Sequence, residues 1–74
     1  MTPKEFRRIR TQRKLTLKET SIYLGSALRT VQNWDGGFRG IPGPVAVLME
    51  LLDHYPDVYQ SVIDLTKRRK GGAK

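Results

Sequence analysis

The chain has 74 residues, no cysteine, and fourteen Lys and Arg against seven Asp and Glu, for a formal net charge of +7. That length makes one domain with a marginal core, and the lack of cysteine excludes a disulfide framework and thiolate metal sites. No apolar run approaches the roughly 20 residues that span a bilayer, and no signal-peptide-like stretch opens the chain, so a soluble cytoplasmic protein with no membrane contact is expected.

The first predicted helix runs from about Pro3 to Lys14. Thr2 can cap it, Pro3 suits its first turn, and Phe6 and Ile9 form a narrow apolar stripe among Lys4, Arg7, Arg8 and Arg10. Thr16 opens a second helix, with Glu19 at the capping-box spacing. Leu17, Ser21 and Leu24 share one face, with Ile22 and Tyr23 alongside, and Gly25 stops the helix where the chain must turn. Ser26 then stands as a cap for a third helix, Ala27 to Trp34, whose inner face is Val31 and Trp34. Residues Asp35 to Pro44 form a glycine- and proline-rich loop. A fourth helix spans about Pro44 to His54, with Val45, Leu48, Leu51, Leu52 and Tyr55 facing inward. Pro56 breaks it. The fifth, Pro56 to about Lys70, carries Tyr59, Val62 and Ile63 on one side with Val58 and Leu65 nearby, and Gly71 to Lys74 should fray. No strand signal competes, so the fold is expected to be all-α with five helices.

Charge is segregated along this order. Residues 1–40 hold nine bases and three acids, residues 41–66 hold four acids (Glu50, Asp53, Asp57, Asp64) and no base, and residues 67–74 hold five bases and no acid. The pattern suggests a basic binding half, an acidic and apolar supporting half and a flexible basic tail, with nucleic acid as the polyanionic partner. Accordingly 1–66 is taken as the folded domain and 67–74 as the tail.

Two short helices joined by a glycine turn can place the second in the major groove of DNA. The string Leu15-Thr16-Leu17-Lys18-Glu19-Thr20-Ser21-Ile22-Tyr23-Leu24-Gly25-Ser26-Ala27-Leu28-Arg29-Thr30-Val31-Gln32-Asn33-Trp34-Asp35 resembles the Cro/repressor-type (XRE) helix-turn-helix family. Arg39-Gly40-Ile41-Pro42-Gly43-Pro44 and the apolar helix after it resemble a narrower branch of compact phage and bacterial repressors, including the anti-CRISPR-associated autoregulators. The resemblance implies a Cro/repressor-like domain and places base-reading positions at Leu28, Arg29 and Asn33, with Gln32 beside them. It also implies an ion pair between Arg10 and Asp35. Three positions depart from the pattern. Leu17 stands where the family has Gln, Thr20-Ser21 where it has Leu-Ala, and Ala27 where a Ser or Thr caps the recognition helix, a duty left to Ser26 or to nothing.

The chemistry of these positions fits base reading. Arg29 can pair with guanine O6 and N7, and Asn33 or Gln32 with adenine N6 and N7. Leu28 offers a contact for a thymine methyl, and equally suits a core or dimer contact. Thr16, Lys18, Thr30, Arg39 and the backbone of Gly36 and Gly37 are candidates for phosphate, which sets register without reading sequence. Trp34 belongs to the core. Lys67-Arg68-Arg69-Lys70 either grips phosphate or is a solvated end.

No catalytic residue, metal site or cofactor is expected. His54 stands alone beside Asp53 at a helix end, and Gly36-Gly37 follows a helix where a phosphate loop would open one. The expected function is a dimeric repressor, including of its own operon, at an inverted-repeat operator in double-stranded DNA. Helices four and five would supply the dimer interface through Val58, Tyr59, Val62 and Ile63. An antitoxin that also masks a toxin, and a non-specific nucleic-acid-binding protein, are the other readings. A membrane-surface role for the tail has no apolar residues to accompany it.

Overall fold

The computed structural model describes the backbone of residues 1–72 and the side chains of residues 1–68. It is all-α: α1 (Pro3–Gln12), α2 (Leu17–Leu24), α3 (Leu28–Gly36), α4 (Gly43–His54) and α5 (Val58–Gly72), with no strand among the described residues.

The first two helices begin as their sequences dictate. Thr2 and Glu5 form a complete capping box on α1, and Thr16 and Glu19 form another on α2. The first helix stops two residues short of the expected Lys14. Lys14 adopts a left-handed conformation (φ 58°), and the Leu15 N–H returns to the Arg10 carbonyl at 3.0 Å. A lysine here does the work that glycine usually does at a helix end. Gly25 (φ 66°) closes α2 in the same way, with the Ser26 N–H donating to the Ser21 carbonyl at 3.0 Å.

The core gathers one or two side chains from each of the first four helices: Phe6, Ile9, Tyr23, Val31, Trp34, Met49 and Leu52. Phe6 meets Trp34 edge-on, with ring centroids 6.5 Å apart. Within α2 the buried residues are Thr20, Ser21 and Tyr23, while Leu17 and Leu24 are half-buried and Ile22 is exposed. The Thr20 and Ser21 hydroxyls donate to the carbonyls of Thr16 and Lys18, so burial leaves neither unpaired. The Tyr23 hydroxyl donates to the Leu48 carbonyl at 2.6 Å, tying α2 to α4, and burial pushes its phenol pKa up.

The inward face of α4 corrects the sequence expectation. Met49 and Leu52 are buried, Val45 and Leu48 half-buried, and Leu51 and Tyr55 exposed. Positions 45, 49 and 52 form one helical stripe, whereas 47 and 51 form another turned roughly 150° away, and Tyr55 follows the end of the helix. The helix is apolar on most sides, so its pattern alone does not choose between them.

Pro56 and Asp57 turn before α5, which starts at Val58 rather than Pro56 and continues to Gly72. The backbone of Gly71 and Gly72 is thus helical, and the fraying expected at residues 73–74 lies outside the described residues. Tyr59 stacks on Tyr23 at 6.0 Å and holds α5 against α2.

Candidate nucleic-acid interface

Three residues, Gly25 to Ala27, separate α2 from α3. Gly25 alone takes the left-handed turn, and Ala27 is already extended (φ −64°, ψ 148°) at the N-cap of α3. Neither Ala27 nor Ser26 caps that helix: no side chain bonds its first amides. Helix α3 is held instead from its inner side, by Val31 and Trp34.

That seating decides which residues face outward. Leu28, Arg29 and Gln32 are exposed and share one stripe, and Asn33 is half-buried at its edge. Leu28 is 40% exposed and makes no part of the buried core, so the core alternative for it falls away. Thr30 is half-buried on the opposite flank. Thr16 and Lys18 are exposed at the start of α2. The Thr16 oxygen accepts the Glu19 N–H at 3.0 Å, and no described group accepts its own proton.

The arginines of α1 divide differently than their number suggests. Arg10 pairs with Asp35 at 3.0 Å and also donates to the Leu15 carbonyl at 3.1 Å. Arg7 donates to the Asp35 carbonyl, and Arg13 to the Asp53 carbonyl. Arg8 pairs with the Asp53 carboxylate at 3.2 Å. The Arg8 hydrogen bond, with charge attraction from Arg8, His54 and Arg13, outweighs the opposing effect of burial and holds the Asp53 carboxyl below its usual range. Much of the positive charge of α1 therefore fastens α1 to α3 and α4. Among the described residues, Lys4, Lys14, Lys18, Arg29, Arg39, Lys67 and Arg68 are exposed cations with neither an ion pair nor a side-chain hydrogen bond, and Arg7 is exposed with only the Asp35 carbonyl as partner.

The loop after α3 contributes a side chain more than a backbone. The Gly37 N–H bonds the Trp34 carbonyl, and the Phe38 and Arg39 N–H groups both bond the Asn33 carbonyl. These amides are taken up by the turn itself, which leaves the exposed Arg39 guanidinium as the charge this loop offers. Phe38 beside it is 82% exposed, the largest exposure of any large apolar side chain described.

The four residues expected at a dimer interface are partly used within the chain. Val58, Tyr59 and Val62 pack half-buried against its own core. Ile63 lines an open groove of about 610 Å³ between α2 and α5, with Ile22, Gly25 and Tyr59. The apolar side chains left outward in this half are Val47 and Leu51 on α4, Tyr55 just after it and Leu65 on α5.

Lys67 and Arg68 extend along α5 and are exposed, and the Arg69 and Lys70 side chains lie outside the described residues. No group of three or more His, Asp or Glu side chains among the described residues is placed to hold a metal ion. None of the described helices is long and apolar enough to cross a membrane. No family model, curated protein or solved structure matches the chain.

Proposed function

We propose that the chain is a sequence-specific double-stranded DNA-binding regulator that lays α3 in the major groove. The observation that carries this reading is the division of α3 itself. Val31 and Trp34 anchor one side in the core, and Leu28, Arg29 and Gln32 stand outward on the other, one tight glycine turn after α2. An exposed Arg with a free guanidinium beside an exposed Gln suits bidentate reading of guanine and adenine edges. Asn33 would join at the edge of the stripe. Thr16, Lys18, Thr30 and Arg39 would take phosphates and fix the register. The bound protein would act by occluding polymerase, as a repressor that includes its own operon among its targets.

A short recognition helix reads few base pairs, so the proposal includes a two-fold homodimer that sets two such helices roughly 34 Å apart on one DNA face. The outward Val47 and Leu51 of α4 and Tyr55 at its end, with Leu65 of α5, are the apolar surface that a second copy would cover alongside the half-buried Val58, Val62 and Ile63. This part of the chain carries acids and no base between residues 41 and 66, which keeps it from competing for DNA.

Selection of bound duplexes from a random library tests the proposal. An enriched inverted repeat with half-sites one helical turn apart is the expected result. Retention of all duplexes alike would replace it with non-specific nucleic-acid binding.

A further inference from the structure

The outward stripe of α3 passes through Leu28, Gln32 and Gly36 in steps of four residues, each turning about 40° around the helix, with Arg29 alongside. The last of these positions has no side chain of its own. The ring of Phe38 occupies that place: a Cβ built on Gly36 would stand 2.8 Å from Phe38 Cε2 and 2.9 Å from Cδ2. The turn behind fixes the ring's base, through Gly37 at φ 81° and the Phe38 N–H on the Asn33 carbonyl at 2.9 Å. A glycine therefore seats an aromatic ring at the C-terminal end of the stripe, where the ring covers bare helix backbone on one side and meets solvent on the other.

We infer that Phe38 is a DNA-contacting residue that continues the reading stripe of α3 beyond Gln32. Resting on the DNA-binding reading above, the inference adds a contact that the helix itself cannot make. A phenyl ring has no donor or acceptor to offer a base edge. Its partner is an apolar surface of the duplex at the flank of the half-site, either a thymine methyl or the C–H face of a deoxyribose. Arg39, next in sequence and free of any carboxylate among the described residues, supplies the phosphate contact that brings the ring against the strand.

The probe is the duplex enriched by the wild-type full chain. Phe38→Ala is expected to bind it about tenfold more weakly, as for truncation of one well-packed interface aromatic. Its melting temperature should stay within about 3 °C of wild type, because the ring lies outside the core. Gly36→Ala, which displaces the ring without removing it, should weaken binding similarly. The double variant should bind no more weakly than Phe38→Ala alone. Additive losses would overturn the seat that Gly36 provides, since the new methyl would then be meeting DNA directly. Replacing flanking thymines by uracil separates the two partners: dependence on Phe38 disappears for a methyl contact and persists for a deoxyribose contact. If the wild type enriches no duplex, the DNA-binding reading falls and this inference with it. If it does and Phe38→Ala binds that duplex within twofold of wild type, only the Phe38 assignment falls.

Discussion

Arg10 and Asp35, twenty-five residues apart, meet with Nε donating to Oδ1 at 3.0 Å and with each side chain only 16% exposed. The pair pins the end of α3 to α1, and Arg7 on the Asp35 carbonyl reinforces it. Asp35→Asn keeps the shape and removes the charge. It is expected to destabilise the fold by roughly 1.5–3 kcal/mol, the range for a hydrogen bond between charged groups. Urea unfolding measures it, and a loss below about 0.5 kcal/mol, the usual size of a surface substitution, would show that the pair is ornamental to stability.

Gly25 has open space where a Cβ would go, so only its left-handed backbone argues for glycine. Gly25→Ala should cost about 1 kcal/mol, the left-handed penalty less the entropy that alanine removes from the unfolded chain. Gly25→Asn should cost less, because asparagine tolerates this conformation. Equal losses for the two variants would point to something other than the turn.

The beginnings of α1 and α2 and the glycine turn are legible in the sequence because capping boxes and left-handed glycines are local rules, written within four residues. The Arg10–Asp35 pair is legible only through family resemblance. The α1–α4 clamp of Arg8 and Arg13 on Asp53 spans at least forty residues and leaves no local signature. Lys14 ends α1 without a sequence warning, since lysine is a poor signal for a left-handed stop. In α4 the misreading of Leu51 and Tyr55 has a physical cause: apolar residues on several sides make the helical period degenerate, and Met49 is a less familiar core type than the leucines around it. Arg29, Gln32 and Leu28 fall outward as expected because Val31 and Trp34 fix the phase of α3. Phe38 escapes sequence reading, because its position depends on what Gly36 lacks.

The Arg8–Asp53 pair predicts a pH signature. With the Asp53 carboxyl held below its ordinary value, the folded state binds fewer protons in acid than the unfolded chain. The stabilisation is therefore complete above the ordinary value of 3.8 and is lost as pH falls through the lower folded value. Asp53→Asn lacks it at every pH. The stability gap between wild type and variant should be level at neutral pH and close only in acid; a gap that closes on the neutral side of 3.8 contradicts the assignment.

On the proposed operator, Arg29→Ala and Lys18→Ala should fail differently. Loss of Arg29 should relax preference at one base position per half-site, at about 1–3 kcal/mol each. Loss of Lys18 should weaken all sequences alike and reduce the salt slope by about 1 for each phosphate that Lys18 neutralises. Affinity measured against single-base operator variants at several salt concentrations separates them, and an Arg29→Ala profile parallel to wild type would remove Arg29 from base reading.

The chain's single tryptophan, Trp34, sits 6% exposed on the inner side of α3 with its ring against Phe6. Its fluorescence is consequently a built-in optical gauge of whether α3 is seated. Emission should shift to the red when α3 leaves the core and stay put when a ligand covers only the outer stripe. A variant that has come unfolded can thus be told from one that keeps its fold but no longer grips DNA, in a single cuvette and without a dye.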